Sequence, residues 1–215
     1  MKYKIIGILT LSILFTACSS DDISGSGIAT TEIRELNAFT AVSLDGIAKV
    51  NITQGATQSV KITADDNIIG LLKTEIEDGV LEVYLASGHN YKNIDVDVEI
   101  SAKGLNGVSN KGSGTVDISN VENLDFYLKN LGSGEIFFSG ASQTLNIENE
   151  GSGRISGFSF SSNTCTVDIL GSGDVEVNCI DELNVTIDGS AKVFYKGSPI
   201  ITEEIEGSGK VIESN

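Results

Sequence analysis

Six copies of one short pattern decide the fold of this chain: GSGTVDIS (112–119), GSGEIFFS (132–139), GSGRISGF (151–158), GSGDVEVN (171–178), GSAKVFYK (189–196) and GSGKVIES (207–214). The first glycines of successive copies are 20, 19, 20, 18 and 18 residues apart. Spacing this even indicates a structural repeat rather than chance recurrence of a common tripeptide.

Each copy continues with the alternation of a β-strand that has one buried face. If the first glycine is position 1, position 5 is always β-branched: Val116, Ile136, Ile155, Val175, Val193 and Val211. A second apolar stretch precedes the next triplet and supplies further inward side chains: Leu124, Phe126, Leu128, Leu145, Ile147, Cys165, Val167, Ile169, Leu183, Val185 and Ile187. Each copy therefore predicts two strands.

Two strands and two corners in about 20 residues predict one coil of a parallel β-solenoid, which buries its apolar face by stacking on the next coil. Glycine suits the corner because it tolerates positive φ. We expect the triplet serines to form an internal ladder that satisfies corner backbone groups. These serines are Ser113, Ser133, Ser152, Ser172, Ser190 and Ser208. A phosphate-binding loop is not indicated, because the helix and lysine of such loops are missing.

The N-terminal half predicts a wider, less regular part of the same β-structure. Asp45–Ile52 imitates the triplet and its strand, and Ile94–Ile100 alternates cleanly. Asp66–Leu72 predicts one helical turn or a bulged corner. Asp78-Gly79 between alternating residues predicts a hairpin.

The N-terminus has the features of a bacterial lipoprotein signal. Lys2 and Lys4 precede the apolar run Ile5–Phe15, which is too short to span a bilayer and suits a signal peptide. The sequence Leu14–Cys18 resembles a lipobox, although Phe15 departs from its usual aliphatic residue. The expected organisation is a signal peptide (1–17), a lipidated Cys18 with a flexible tether (18–34) and one β-helix domain (35–215).

The expected location is the outer membrane, with the protein facing the periplasm or the cell surface. Ser19–Asp22 resembles the acidic signals that direct some lipoproteins to the outer face. The formal net charge of −16 argues against nucleic-acid binding and against electrostatic attraction to anionic lipid. The membrane is therefore expected as a partner only through the lipid on Cys18. Cys165 and Cys179 fall at different phases of the repeat, so we expect two separate buried thiols.

Several motifs together resemble the bacterial head GIN domain family, whose usual label is "putative auto-transporter adhesin". They are Phe39–Gly46, Val50–Gly55, Ala64–Asn67, Glu77–Leu81 and the glycine-serine coils. The resemblance covers about residues 35–213. It implies a right-handed parallel β-helix, an envelope location and an adhesin-like role, and it brings no catalytic residues.

The outward charges at position 4 are expected to stabilise neighbouring coils. They predict the pairs Glu135–Arg154, Arg154–Asp174 and Asp174–Lys192, each worth roughly 0.2–1 kcal/mol. Such pairs indicate control of strand register rather than chemistry.

Outward aromatic residues are the candidate contacts for a ligand or a second subunit. Phe137, Phe194 and Tyr127 point outward by phase, and exposed aromatics can stack on sugar rings. The row Asp95, Asp97 and Glu99 is a weak candidate for Ca²⁺; a solvated acidic face is the alternative. No cofactor is expected.

The leading hypothesis is therefore a non-enzymatic, lipid-anchored envelope protein whose rigid β-helix contacts a glycan or an extracellular protein, with a homo-oligomer as a further option. A β-helical polysaccharide lyase or hydrolase is the enzyme alternative, and it would need at least two carboxylates and a base along one groove. An accessory role in envelope assembly or stress sensing is the third.

Overall fold

The computed structural model describes residues 21–46 and 49–214 and is all-β. The predicted signal peptide and Cys18 lie outside the described residues. The N-terminal strands are β1 (Asp21–Ser24), β2 (Ala29–Arg34), β3 (Ala41–Asp45), β4 (Lys49–Gln54), β5 (Ser59–Asp65), β6 (Leu72–Glu77), β7 (Val80–Leu85), β8 (His89–Lys92) and β9 (Val96–Ala102). The remaining strands are β10 (Gly107–Asn110), β11 (Thr115–Asn130), β12 (Glu135–Asn149), β13 (Ile155–Gly171), β14 (Val175–Gly189), β15 (Lys192–Lys196), β16 (Ile200–Gly207) and β17 (Lys210–Glu213).

Residues 107–213 form a parallel β-solenoid of about five turns, which confirms the predicted fold class. Each long strand bends in the middle and contributes to two stacks. The front stack joins β4, the first halves of β11–β14, β15 and β17. The back stack joins β3, β10, the second halves of β11–β14 and β16. The apolar core lies between the two stacks.

The Gly-Ser-Gly triplets form the corners between back and front stacks, as predicted. A Cβ atom on Gly132 or Gly151 would collide with the carbonyl oxygen of the equivalent glycine one coil earlier, so the corners can stack only without side chains there. The predicted internal serine ladder is wrong, because all six triplet serines are exposed. Position 2 points out of the corner, away from the core.

A ladder of asparagines takes the inner place beside these corners. Asn110, Asn130 and Asn149 are at most 2% exposed. Asn110 Nδ2 donates to Asn130 Oδ1 at 3.2 Å, and Asn130 Nδ2 donates to Asn149 Oδ1 at 3.1 Å. The ladder ends at Asn149, whose Nδ2 donates to the carbonyl oxygens of Gly153 and Gly173 at 3.1 and 3.0 Å. Each inner amide thus satisfies its neighbour, as a buried polar group requires.

The core contains the predicted inward residues with one exception. Five of the six position-5 side chains are at most 1% exposed, and only Val211 at the C-terminal end is half-buried. Three phenylalanines fill the middle coils: the ring centroids of Phe126 and Phe160 are 5.5 Å apart, and those of Phe138 and Phe160 are 5.0 Å apart. The exception is Leu124, which is 66% exposed because it lies near the bend of β11, before the alternation of the back stack begins.

Cys165 and Cys179 are both buried and unbonded within the part of the chain that the structure describes. The expectation of two separate buried thiols is confirmed, since neither cysteine is in a disulfide. They lie on the adjacent strands β13 and β14, at the same bend of the solenoid. Different phases of the repeat meet here because Cys179 lies at the bend of its coil, toward which Cys165 also points.

The N-terminal region continues the solenoid and then changes to antiparallel pairing. β4 pairs in parallel with both β11 and β9, whereas β9, β5 and β2 pair antiparallel in that order. Asp45-Gly46 takes the place of a triplet, since Ser113 N donates to Gly46 O at 3.1 Å. Asp78-Gly79 turns the antiparallel β6–β7 hairpin with φ of 49° and 79°. Both predictions are confirmed.

The predicted flexible tether is folded over the part that the structure describes. β1 pairs in parallel with β8, and β2 pairs with β5. The Asp65 carboxylate, 5% exposed, accepts from Gly27 N at 2.8 Å and from Asp95 N at 3.2 Å. Composition alone predicted a tether because Gly and Ser are frequent there, but these backbone groups are satisfied by strand partners. Within residues 21–46 and 49–214, no helix is long and apolar enough to cross a membrane.

Candidate ligand-binding face

The outward side chains of the front stack form one continuous row, which we call the front ladder. Strand register connects its members from coil to coil. In order, they are Glu99, Asn51, Asp117, Phe137, Ser156, Glu176, Phe194 and Ile212. The row exists because parallel coils stack in register, so that equivalent outward positions of all coils share one line.

Two of the three predicted aromatic contacts belong to the front ladder. Phe137 is 38% exposed, and Phe194 lies three strands further along, at about 4.8 Å per strand. A row about 14 Å long with an aromatic ring at each end therefore faces outward.

A third aromatic residue, Phe158, joins this face and was missed by sequence reasoning. Phe137 pairs with Ser156 and Ser139 with Ser159, so a β-bulge at residues 157–158 adds one residue to β13 and turns Phe158 outward. Lys196 Nζ lies 4.7 Å from the centroid of the Phe158 ring, a cation–π contact. The available signal was the coil length, since this coil has 20 residues and the preceding one 19.

Phe137 and Phe158 line a shallow groove of about 250 Å³, which does not include Phe194. Its polar lining includes Asp117, Ser139, Ser156 and Glu176. The Glu176 carboxylate is held by Arg154, with 3.3 Å between Oε1 and Nη2. The groove thus combines apolar ring faces with carboxylate and hydroxyl oxygens.

Tyr127 does not belong to this face. It lies on the back stack, where it pairs with Gly107 and Asn146, and it is 41% exposed. A Cβ atom on Gly107 would collide with the Tyr127 ring, so the tyrosine covers the neighbouring strand. The structure therefore separates Tyr127 from Phe137 and Phe194 by the thickness of the solenoid.

The acidic row extends along the chain rather than converging on a point, with Asp95 just before β9 and Asp97 and Glu99 on it. Asp97 and Glu99 line an open groove of about 490 Å³ together with Lys61. Lys61 Nζ lies 2.8 Å from Glu99 Oε1, and this hydrogen bond raises the pKa of the lysine. No group of three or more His, Cys, Asp or Glu suited to a metal ion occurs among residues 21–46 and 49–214.

The groove at β9 is also the best candidate active site for the alternative hypothesis of a polysaccharide lyase or hydrolase. It holds two carboxylates and a lysine, which is the minimum that a lyase-like mechanism requires. A proton acceptor needs a lowered pKa, however, and the pKa of Lys61 is shifted upward by Glu99. The geometry therefore keeps Lys61 protonated at neutral pH.

The predicted ion pairs between position-4 residues are wrong within the described chain. Arg154 pairs with Glu176, at position 6, instead of Glu135 or Asp174. Asp174 accepts from the backbone N of Lys192 at 2.8 Å through its carboxylate, not from the lysine side chain. The long Arg154 side chain reaches diagonally across the strands, which simple coil-to-coil stacking did not anticipate.

Comparisons with known proteins place this geometry in a family. A family model described as "Putative auto-transporter adhesin, head GIN domain" matches residues 38–199. No curated protein matches the chain.

Several solved structures share the fold. A crystal structure of a "putative adhesin" from Bacteroides fragilis has a TM-score of 0.74 at 21% identity, covering 89% of this chain and 100% of that chain. A "putative adhesin" from Parabacteroides merdae gives 0.54 at 20% identity, covering 91% and 100%. A "Putative lipid binding protein" from Parabacteroides distasonis gives 0.54 at 22% identity, also covering 91% and 100%. Identities this low show the common fold alone.

Proposed function

This chain belongs to the family described as "Putative auto-transporter adhesin, head GIN domain", and we propose that it is a non-enzymatic, lipid-anchored envelope protein that binds neutral glycans through the front ladder. The anchor is Cys18, at the end of the lipobox-like Leu14–Cys18. The location is the outer membrane, and the solenoid is the rigid body that carries the binding face.

The observation that carries the proposal is the grouping of one exposed aromatic ring, Phe137, and two half-buried rings, Phe158 and Phe194, on one face. All three rings lie on the front stack, and the Glu176 carboxylate lies between Phe137 and Phe194 along the front ladder. The apolar face of a pyranose ring packs on an aromatic face, and its hydroxyl groups donate to carboxylate oxygens. Aromatic side chains with a few well-placed polar groups are typical of small-molecule and sugar sites.

The charge of the face selects the class of glycan. Along the front ladder Asp117 is next to Phe137 and Glu176 is next to Phe194, and the whole chain has a formal net charge of −16. An acidic glycan would bring like charge toward this surface, which disfavours both encounter and contact. We therefore expect neutral hexose or N-acetylhexosamine chains rather than uronic or sialic acid chains.

A glycan array tests the proposal directly. The chain carrying Cys18→Ser, so that no lipid or free N-terminal thiol interferes, is expected to bind neutral glycans in preference to acidic ones. The double variant Phe137→Ala/Phe194→Ala is expected to weaken binding about tenfold or more, since each lost ring contact is worth about 0.5–1.5 kcal/mol. Tyr127→Ala removes an equally exposed ring from the opposite face and is expected to change nothing.

Three outcomes would count against the proposal. Binding to no glycan at all would leave the face without a ligand, and binding to an extracellular matrix protein alone would assign it to another class of partner. Equal loss of binding in the Tyr127→Ala control would show that the front ladder is not the site.

A further inference from the structure

Cys165 and Cys179 meet at the bend that lies opposite the Gly-Ser-Gly corners. Cys179 pairs with Ser162, and Cys165 pairs with Leu183, so both cysteines lie on the same short piece of the β13–β14 interface. Cys179 Sγ lies 2.9 Å from Glu182 O and 3.6 Å from Asn163 O. Glu182 is the neighbour of the residue that pairs with Cys165, which places the Cys179 sulfur beside the Cys165 side chain.

Cys179 occupies the place of a serine in a short inner ladder. Ser142 Oγ donates to Thr144 O at 2.9 Å, and Ser162 Oγ donates to Thr164 O at 3.1 Å. The two hydroxyls are 3.2 Å apart, and Cys179 follows Ser162 in the next coil. In two coils a serine hydroxyl makes this hydrogen bond to a carbonyl oxygen. A cysteine is therefore not needed at position 179 to make it.

The two thiols are also chemically unequal. The hydrogen bond between them raises the pKa of Cys165, with burial adding to the rise, and lowers the pKa of Cys179. Cys179 is therefore the thiol that ionises first, and the thiolate is the reactive form of cysteine.

We propose that Cys165 and Cys179 form an intramolecular disulfide that joins β13 to β14 when the protein meets an oxidant of the peroxide class. The Cys179 thiolate attacks one oxygen of the peroxide, the O–O bond breaks, and the leaving hydroxide takes up a proton to become water. Cys165 sulfur then attacks the sulfenic sulfur of Cys179, the S–O bond breaks, and a second water leaves as the S–S bond forms. Two thiols lose two electrons, and one hydrogen peroxide becomes two waters.

The position of the pair gives such a bond a consequence. Cys165 and Cys179 are not register partners, so the bond would form across the bend of the coils, where the Cys179 sulfur lies against the carbonyl oxygen of Glu182, next to the register partner of Cys165. Both thiols are fully buried, so the reaction waits for a brief opening of the bend. Once formed, the bond would fix two neighbouring coils to each other in the middle of the solenoid.

The test uses the full chain with Cys18→Ser, which leaves only these two thiols. The protein is treated with hydrogen peroxide, unfolded, alkylated and measured by mass spectrometry. The expected product has lost two hydrogen atoms, takes up no alkyl group and recovers both sites after reduction. Its unfolding midpoint is expected to rise by about 5–10 °C, as a short closed loop predicts for a chain of this size.

Two variants keep the result interpretable. Cys179→Ser retains the hydrogen bond that Ser142 and Ser162 make, and Cys165→Ala places a small apolar residue in an apolar row, so both are expected to fold. Neither variant should show the rise in unfolding midpoint, and each should keep an alkylatable or over-oxidised thiol. Two free thiols in the peroxide-treated parent, or only disulfide-linked dimers, would overturn the proposal.

Discussion

At the scale of single residues, the solenoid depends on glycines at its corners, where a side chain would not fit. The third residue of the triplet is glycine wherever an asparagine of the inner ladder lies against it. A Cβ atom on Gly134, Gly153 or Gly173 would meet the Nδ2 atom of Asn110, Asn130 or Asn149, respectively, as well as a backbone carbonyl. Where the ladder has ended and Ile169 takes the asparagine position, the third residue is Ala191. Glycine is kept at Gly209, where Ile187 takes the asparagine position, so an asparagine requires glycine but glycine does not require an asparagine.

Removing the middle asparagine is expected to destabilise the protein strongly. Asn130→Ala leaves the Asn110 amide donor and the Asn149 acceptor without partners in the core. Each buried orphan costs about 1–3 kcal/mol, so we expect a loss of about 2–5 kcal/mol in the free energy of unfolding. Chemical denaturation measures it. Asn146→Ala, an exposed position on the strand of Asn149, is the control and should change stability by less than about 0.5 kcal/mol.

Adding one methyl group at a corner is expected to separate two coils. Gly153→Ala would drive a Cβ atom against Gly134 O and the Asn130 side chain, and overpacking of this kind costs about 1–3 kcal/mol. Gly70→Ala has nothing within 4 Å of the new Cβ and should be neutral or slightly stabilising. Thermal unfolding of the two variants side by side checks the difference; equal midpoints would refute the close approach of the corners.

At this scale the sequence predicted the corners correctly, but the prediction that serines form the inner ladder was wrong. The triplet serines repeat most visibly, yet position 2 of a corner points to solvent. The useful signal was weaker: a polar residue, Asn110, Asn130 or Asn149, recurs two places before a triplet, at an otherwise inward register. In a stack of coils, a buried polar side chain can form its hydrogen bonds with the equivalent side chains of the neighbouring coils. The general tendency of polar residues to lie on the surface does not predict this arrangement.

At the scale of elements, the regular coils could be predicted and the N-terminal pairings could not. The period-2 pattern and fixed spacing determine each coil's neighbour, because a coil must stack on the next. For β2, β5 and β9 the pattern predicts strands but no partners, since antiparallel pairing of residues 26–42 positions apart leaves no periodic signal. For the same reason the pairing of β1 with β8 was missed and a tether was predicted instead.

Attachment of β1 is expected to weaken in acid. Asp22 accepts from Lys92 Nζ at 2.7 Å and from Asn90 Nδ2 at 2.8 Å, and these hydrogen bonds lower the pKa of Asp22 below its ordinary value of 3.8. A carboxyl group whose pKa is lower in the folded state contributes stability above its unfolded pKa and loses it as pH falls through the folded pKa. NMR titration of the Asp22 carboxyl carbon should therefore give a midpoint below 3.8.

The matched variant is Lys92→Gln, which removes the first cause of the shift. It should return the Asp22 midpoint toward the ordinary value, while Lys61→Gln, on another strand, should leave it unchanged. An Asp22 midpoint at or above 3.8 in the parent would mean that β1 is not held by this pair.

The two ends of the solenoid differ in how they protect their edges. At the C-terminal end β16 and β17 are outermost, and Glu203 pairs with the buried Val185 of β14, so that a carboxylate stands in a row of inward side chains. Charge at an inward position of an edge strand discourages pairing with another chain. At the N-terminal end, antiparallel strands and the turn around the fully buried Ile68 cover the core.

At the scale of the whole molecule, the solenoid turns a one-dimensional repeat into two flat faces with different chemistry. The front face carries Phe137, Phe158 and Phe194, and the back face carries Tyr127 with the Lys129–Glu148 pair at 2.7 Å. Sequence phase alone showed that these aromatics point outward. It could not say which of them share a face, because this depends on where each coil bends.

The folded state of residues 21–34 also changes the picture of how the protein would sit on a membrane. If Cys18 carries lipid, only two residues separate it from Asp21, the first residue of β1. A fully extended chain spans at most about 3.6 Å per residue, so the N-terminal end of the domain would lie within about 11 Å of the lipid attachment.

Hydroxyl-radical footprinting with a bound neutral glycan tests the central claim most directly, because it reports side-chain exposure on both faces at once. We predict that the glycan protects Phe137 and Phe194 from oxidation and leaves Tyr127, which is similarly exposed, unchanged. Protection of Tyr127 and Leu124 with no change at Phe137 and Phe194 would contradict the assignment of the front ladder as the binding face.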